Sequence, residues 1–340
     1  MKNIIFICTA NKKPYGGNKI IYQYSNLIHS LKGYNSSIIH IKKNKLSKII
    51  TSVKKKFGLN KKRYTGWNFE DIMIENNFRE NWFGINFINK DDFNFDPKND
   101  LVVLPEIFAH FAETMLIKKK IPFVIFVQNG YSIFPTNDKS SLKLAYNKAK
   151  YILSYSKDID RCVSLAYPKS AKKILRVKVA INIKKFRNNN KSNIITYMPR
   201  KLKWHSEQLL LFIESHLPKN WKIIPISQMT ESEVFNNLDK SKIFLSFSSH
   251  EGLGLPPIEA AIAGNKVIGY TGEAGKEWWY KPIFSEIYSG DLQSFCKEIL
   301  NFIKFKKNHQ KIFSNQKKKL IKEFSQENQK KYILDFLKKI

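Results

Sequence analysis

Short hydrophobic runs alternate along this chain with segments in which apolar residues recur every three or four positions. The run Ile4–Ile7 predicts a strand, and apolar positions between Ile20 and Leu31 then follow helical spacing, with Gly33 as the expected helix end. A second run, Ser37–Ile41, predicts another strand. This order of strand, helix and strand indicates a βαβ unit and therefore a parallel sheet.

The same alternation fills both halves of the chain. Strands are predicted at Asp100–Leu104, Pro122–Val127, Tyr151–Ser154, Ile174–Ala180, Ile194–Met198, Lys222–Ile226, Ile243–Phe247 and Lys266–Tyr270. Helices are predicted at Ile107–Lys118, Ser141–Lys148, Lys157–Ala166, Thr230–Lys240, with Thr230 or Ser232 as its cap, and Ile258–Ala263. The pattern indicates an α/β protein with two Rossmann-like parallel-sheet domains.

A polar run without periodicity, residues 187–193, is the expected linker between these domains. The first domain then covers residues 1–186 and the second covers 194–325. Residues 326–340 form a terminal helix, which either packs back on the first domain or stays solvated. A chain of 340 residues is long enough for two domains, each with its own core.

The amino-acid composition indicates a globular protein and favours a cytoplasmic location. The hydrophobic fraction is 43%, and the three cysteines are isolated from one another, without disulfide or metal-ligand spacing. A reducing compartment therefore fits best. The apolar runs are too short to cross a bilayer, so we expect no spanning segment.

The distribution of charge along the chain indicates the kind of partner that the protein binds. The formal net charge is +31, and the first acidic residue of the chain is Glu70. Such asymmetry favours an anionic partner, either a membrane surface, a nucleic acid or an anionic glycan. A general bias toward lysine and asparagine is the alternative explanation, although it does not account for the absence of acids before Glu70.

Residues 42–63 concentrate this charge, with ten basic residues and no acid. Their apolar positions lie three and four apart, so a helix here has one apolar face and a cationic remainder. Such a helix fits an anionic membrane surface. A solvated helix packed on its own domain is the other interpretation.

The candidate chemistry is concentrated between Ser241 and Tyr280. Glu251 and Glu259 bracket a predicted loop with seven residues between them, and Gly252 and Gly254 let its backbone approach a ligand closely. Glu259 is expected in the first turn of the following helix, where free N–H groups favour an anion. Donors for phosphate and acceptors for hydroxyls suit a nucleotide sugar.

The match E-G-L-G-L-P-P-I-E resembles the Glu-x7-Glu motif of retaining family 4 glycosyltransferases of the GT-B fold, whose two Rossmann-like domains face a cleft. The resemblance implies that Glu259 accepts hydrogen bonds from the ribose and that backbone amides of Gly252, Leu253, Gly254 and Leu255 hold phosphate or sugar. It also implies that Glu251 contacts the transferred sugar and stabilises its positive charge.

The same resemblance assigns cations to the leaving diphosphate. Arg200 matches the family arginine after the first strand of the second domain, and Lys201 or Lys203 is the expected second cation, since the usual spacing falls on His205. A metal is unnecessary if these cations act, so no metal or other cofactor is expected. Gly16 and Gly17 match a family glycine pair that approaches the donor.

Residues at the carboxyl ends of the first domain's strands are the acceptor-side candidates: Glu106, His110, Gln128 and Asn129. Relatives often have a His-Asp pair where this chain has Gln128 and Asn129. We expect His110 to be satisfied within its helix rather than catalytic.

The implied function is transfer of a hexose from a nucleotide sugar, with retention, to a glycan or lipid-linked saccharide in polysaccharide or lipopolysaccharide synthesis. The expected location is the cytoplasm, peripheral at the inner face of the membrane. One alternative is a GT-B sugar transferase that acts on nucleic acid, although we do not expect nucleic acid to be the partner. The other is a basic binding protein that has the GT-B fold without the activity. Neither Gly252–Gly254 nor Gly272–Lys276 completes a dinucleotide fingerprint or a P-loop.

Overall fold

The computed structural model describes residues 2–9, 16–41, 86–87, 95–186, 190–304 and 309–340. The cationic segment 42–63 lies outside these residues. The chain divides into two compact units. One comprises the chain up to Tyr155 with Ile159–Val177 and Ile333–Ile340, and the other comprises Ser156–Asp158 and Lys178–Tyr332. The second unit thus begins ahead of the segment 187–193, of which only residues 190–193 are described.

The first unit contains a seven-stranded parallel sheet in the order β3-β2-β1-β4-β5-β6-β7. Its strands are β1 (Lys2–Thr9), β2 (Tyr34–Ile41), β3 (Asn86–Phe87), β4 (Asp100–Pro105), β5 (Phe123–Phe126), β6 (Ile152–Ser154) and β7 (Ile174–Arg176). The central strands β1, β4 and β5 contain continuous apolar runs, because helices cover both faces of a parallel sheet. In β1, for example, the five consecutive residues Ile4–Cys8 are buried.

Its α-helices are α1 (Gly16–His29) and α2 (Lys139–Lys148), and α3 (Lys157–Ala166) begins at the boundary between the units. The sequence predicted an α-helix over Ile107–Lys118, and this prediction is wrong in type. Glu106–Phe111 form a 3₁₀-helix and Glu113–Ile117 a π-helix. The apolar spacing indicates a helical segment but does not distinguish hydrogen bonds to the third, fourth or fifth residue.

The second unit contains a five-stranded parallel sheet in the order β12-β11-β10-β8-β9. Its strands are β8 (Ser192–Tyr197), β9 (Lys222–Pro225), β10 (Ser241–Glu251), β11 (Lys266–Glu273) and β12 (Phe284–Glu286). Its helices are α4 (Lys203–Glu214), α5 (Glu231–Lys240), α6 (Leu255–Ile262), α7 (Leu292–Lys304) and α8 (His309–Glu323), and α9 (Gln326–Leu337) spans both units. Its core joins the inner faces of β8, β10 and β11 to α4 and α7.

The α/β class and the two parallel sheets predicted from the sequence are confirmed. The predicted strand Ile174–Ala180 is too long, since β7 ends at Arg176. After Val177, whose N–H donates to Ser154 O at 2.7 Å, the chain leaves the sheet, and Val179 and Ala180 are buried outside it. Burial outside the sheet gives these residues the same apolar pattern as a strand.

Candidate active site

Strand β10 carries Glu251 to the carboxyl edge of the second sheet. The sequence placed Glu251 in a loop, whereas it is the last residue of the strand and pairs in register with Glu273 of β11. The register shifts between Ser248 and Glu251, which marks a local irregularity of the kind that re-aims side chains at strand ends. The backbone that bears the Glu251 side chain is therefore fixed by strand pairing.

Lys201 supplies a cation to this carboxylate. Its ammonium group forms an ion pair with Glu251 Oε1, and the two side chains are 36% and 21% exposed. Lys203 instead pairs with Glu207 of its own helix at 3.2 Å and is 73% exposed. Of the two lysines that the sequence left as alternatives, Lys201 is the one in contact with Glu251.

Arg200 and His205 lie on either side of the start of α4. Arg200 is exposed in the turn after β8 and forms no ion pair with any described residue. His205 Nδ1 lies 3.0 Å from Tyr270 Oη, so β11 holds the imidazole. No side chain caps α4, whose preceding residue Leu202 is left-handed (φ 46°). The first N–H groups of the helix thus add positive potential beside Arg200 and Lys201.

Gly272 packs directly against Glu251. A Cβ atom at position 272 would lie 2.8 Å from Glu251 Cγ and 2.9 Å from both Ser248 Cβ and Ser249 O. The residue also has φ +64°, which favours glycine. This glycine allows the close approach of β11 to Glu251. Its role was not found in the sequence, where Gly272 appeared only as part of a second glycine loop.

The segment Gly252–Gly254 is buried, and Gly254, with φ +77°, immediately precedes α6. The sequence placed the start of this helix at Ile258, which is wrong. Helix α6 begins at Leu255, and its first turn contains Pro256 and Pro257, whose fixed φ is compatible with the start of a helix.

The helix start changes the site in two ways. Glu259 lies in the second turn of α6, not in the first as predicted, and its side chain is partly exposed. The prolines at positions 256 and 257 have no N–H, so this helix end offers fewer donors than an ordinary helix N-terminus. The first turn of α6 is therefore a weaker anion site than the sequence suggested.

In the first unit, the structure brings together three of the four acceptor-side candidates and one of the two glycines. Glu106 accepts hydrogen bonds from the backbone N–H groups of Gln128 and Asn129, both at 3.1 Å. Gln128 Nε2 donates to Gly17 O at 3.0 Å. Gly16 is the exposed first residue of α1.

His110 is not hydrogen-bonded to this group. Its Nδ1 atom is buried and lacks a hydrogen-bond partner in the described part of the chain. Burial lowers the pKa of His110 to about 4, although Asp138 acts in the opposite direction, so the ring is neutral at neutral pH. The prediction that the His110 ring forms its hydrogen bonds within its own helix is therefore wrong for Nδ1.

Two residues that tie these elements together were not predicted from the sequence. Asn18, 3% exposed, accepts a hydrogen bond from Thr9 Oγ1 and donates one to Thr9 O, both at 2.8 Å, which fixes the start of α1 to the end of β1. Tyr155 Oη donates to Gln128 O at 2.5 Å. A polar residue directly after the Gly16–Gly17 pair was the available signal for Asn18.

Within the described ranges, no group of three His, Cys, Asp or Glu side chains has the arrangement of a metal site. Among the helices described, none has the length and apolar character that crossing a bilayer requires.

Two parallel sheets with polar groups at their carboxyl edges define a protein of the doubly wound α/β class. The chain matches the fold of GT-B glycosyltransferases over its whole length. HepE from Anabaena, solved with UDP and glucose, aligns with a TM-score of 0.67 and 11% identity over 100% of both chains. Sucrose-phosphate synthase from Thermosynechococcus elongatus aligns at 0.63 and 10% identity, covering 99% of this chain and 98% of its own.

A glycosyltransferase from Rickettsia africae aligns with a TM-score of 0.61 and 15% identity, covering 99% of this chain and 98% of that one. No protein-family profile and no curated protein sequence matches the chain. At these identities the likeness establishes the fold.

Proposed function

We propose that this protein is a glycosyltransferase that moves a sugar from a nucleotide-sugar donor to a saccharide acceptor with retention. The observation that carries the proposal is the contact between Lys201 and Glu251 at the carboxyl edge of the second sheet. In parallel sheets, ligands bind at this edge. The likeness to HepE, which was solved with UDP and with UDP and glucose, supports a uridine nucleotide as the first donor to test.

The donor diphosphate is proposed to bind at the start of α4. Arg200 is exposed there, Lys201 is the next residue, and no side chain caps the helix. Two cations and free N–H groups can together balance the charge that develops on a departing nucleoside diphosphate. This assignment accounts for the leaving group without a metal, in keeping with the expectation that none is used.

The two glutamates are proposed to act on different parts of the donor. Glu251 faces the transferred sugar and stabilises an oxocarbenium-ion-like transition state, while Lys201 counterbalances its charge in the absence of donor. Glu259, partly exposed on α6, accepts hydrogen bonds from the ribose hydroxyls. The buried segment Gly252–Gly254 lines the sugar between them.

The acceptor is proposed to be a glycan or lipid-linked saccharide in cell-surface polysaccharide or lipopolysaccharide synthesis, met at the cytoplasmic face of a membrane. The net charge of +31 supports a negatively charged acceptor or surface. The same charge supports a second candidate, a sugar transferase acting on nucleic acid. Binding to anionic liposomes and to duplex DNA over a range of salt concentrations separates the two.

The test is titration of the wild-type protein with UDP-, GDP- and ADP-sugars by calorimetry, followed by Glu259→Gln and Arg200→Ala. We expect one nucleotide sugar to bind, and each variant to weaken it about tenfold or more, because each removes a charged hydrogen-bonding group. Lys203→Ala, which removes an exposed cation two residues from Lys201, is the matched control and should bind as the wild type does. Unchanged affinity in both site variants would refute the site.

A further inference from the structure

A closed set of hydrogen bonds joins β4, β5 and α1 in the first unit. Glu106 follows β4 directly and is 3% exposed. One carboxylate oxygen accepts from the N–H of Gln128 and the other accepts from the N–H of Asn129. Both oxygens of this buried side chain are thus used on two consecutive amides beyond the end of β5.

Gln128 passes this constraint to the glycine pair. Its side-chain amide donates to Gly17 O at 3.0 Å, and its own carbonyl accepts from Tyr155 Oη at 2.5 Å. Gly17 lies in the first turn of α1, next to Asn18, which is bonded to the end of β1. Gln128 is therefore held at its N–H, its carbonyl and its side chain.

An ionised carboxylate suits both amides best. It has two acceptor oxygens, whereas the amide of glutamine has one, and its NH₂ group would face an N–H. No Lys, Arg or His among the described residues forms an ion pair with Glu106, so backbone amides, those of Gln128, Asn129 and Glu106 itself, compensate for its burial. A buried charge without a cation is costly, and a residue that retains it at such a position points to a specific role.

We propose that Glu106 is a positioning residue, whose ionised carboxylate fixes Gln128 and, through Gln128, the Gly17 turn that borders the acceptor half of the site. The acceptor part of this statement rests on the function proposed above. Glu106 itself need not touch a substrate. It sets the backbone of residues 128 and 129 and the carbonyl of Gly17.

The ionisation of Glu106 makes this role dependent on pH. Burial raises its pKa to about 7, against the opposing effect of the backbone amides of Gln128, Glu106 itself and Asn129. Burial and the nearby Tyr167 and Glu106 raise the pKa of Tyr146 of α2 well above its usual value, so the phenol stays neutral. His110, on the same segment as Glu106, is neutral as well. As pH falls through about 7, one oxygen becomes a hydroxyl group, and one amide is left with a weaker acceptor.

Amide hydrogen exchange of the full chain tests the proposal. In Glu106→Gln, one amide of Gln128 or Asn129 loses its acceptor, and we expect its protection to fall roughly tenfold, the size of one net hydrogen bond. In the wild type, protection corrected for the intrinsic exchange rate should fall as pH drops below 7. The variant should show no such dependence. Glu113→Gln, the same substitution seven residues along, is the control.

Gln128→Met tests the second link without altering a buried charge. It removes the donor to Gly17 O at a partly exposed position, so protection at Ile20 and Ile21 should fall while that of Asn129 is kept. Unchanged protection near residues 128–129 in Glu106→Gln, or protection independent of pH in the wild type, would overturn the proposal. A wild-type protein that binds no nucleotide sugar would instead refute the proposed function, and the exchange data would still decide the role of Glu106.

Discussion

The ammonium group of Lys201 contacts the carboxylate of Glu251, although the two residues are 50 positions apart. The contact joins the segment after β8 to the last residue of β10, two neighbouring strands of the second sheet. In the proposed reaction, the donor diphosphate must compete with Glu251 for this lysine. In that reaction, the pair would couple occupancy of the proposed phosphate site to the charge state around the transferred sugar.

Removal of the Lys201 cation should slow transfer. Lys201→Met leaves Glu251 without its counter-ion and the diphosphate with one cation fewer, so we expect kcat to fall about 100-fold. Lys201→Arg keeps the charge and should retain most of the activity. Steady-state kinetics with the donor found by calorimetry measures both, and an Lys201→Met enzyme with unchanged kcat would contradict the role.

Lys203→Met is the matched control for this variant. It makes the same change on an exposed lysine that pairs with Glu207, away from Glu251. We expect no more than a small change in kcat, since exposed ion pairs of this type contribute little. Equal losses in both variants would indicate a general effect of charge.

Gly272→Ala should disturb Glu251 more than it disturbs the fold. The added methyl group would lie 2.8 Å from Glu251 Cγ, and the positive φ adds backbone strain of about 1 kcal/mol or more. We expect a lower Tm together with loss of transfer. The measurement combines thermal unfolding with steady-state kinetics.

Gly290→Ala separates the strain from the collision. Gly290 has φ +95°, but an added Cβ would meet no atom within 4 Å. Its Tm should fall only by the part that strain contributes, while transfer persists. If Gly290→Ala also abolishes transfer, strain alone explains the first result.

Thr230→Ala should lower the stability of the second unit. The Thr230 side chain accepts from Glu233 N–H and the Glu233 side chain accepts from Thr230 N–H, which is a complete capping box on α5. Loss of such a cap costs about 1 kcal/mol. Urea denaturation measures it, and Ser232→Ala, the other cap considered from the sequence, should leave the midpoint nearly unchanged.

His110 should contribute to unfolding in acid. Burial lowers its pKa to about 4, below the value of 6.5 expected in the unfolded chain. The unfolded state thus binds the proton first, and the free energy of unfolding should fall as pH drops from 6.5 to 4. In His110→Phe this part of the slope should disappear. Parallel curves for both proteins across that window would contradict the assignment.

The strands were predictable because their signal is local. Runs such as Ile4–Ile7 and Ile243–Phe247 are buried on both faces, so a strand can be predicted from each run alone, without knowledge of the strands beside it. Convergence of polar residues at strand ends also follows from parallel topology, which is why Glu106 and Gln128 were expected near the same edge. Their hydrogen bonds were not predictable, because these depend on rotamers and on the exact end of each strand.

Three features of the site depended on geometry that no local pattern contains. The helix was predicted to begin at Ile258, after Pro256 and Pro257, although both prolines fit its first turn. The contact of Lys201 rather than Lys203 with Glu251 depends on how β8 pairs with β10. The role of Gly272 required the distance between two strands at one point. The sequence therefore indicated the fold, suggested the reaction class that we propose, and left the contacts within the site open.

The two prolines at the start of α6 have a consequence for chain entropy. A helix of eight residues is too short to persist in water by itself. Proline restricts φ in the unfolded chain to nearly the helical value, so two consecutive prolines reduce the conformational entropy that is lost when α6 forms. The first turn of the helix that bears Glu259 therefore has fewer backbone conformations to lose when it folds.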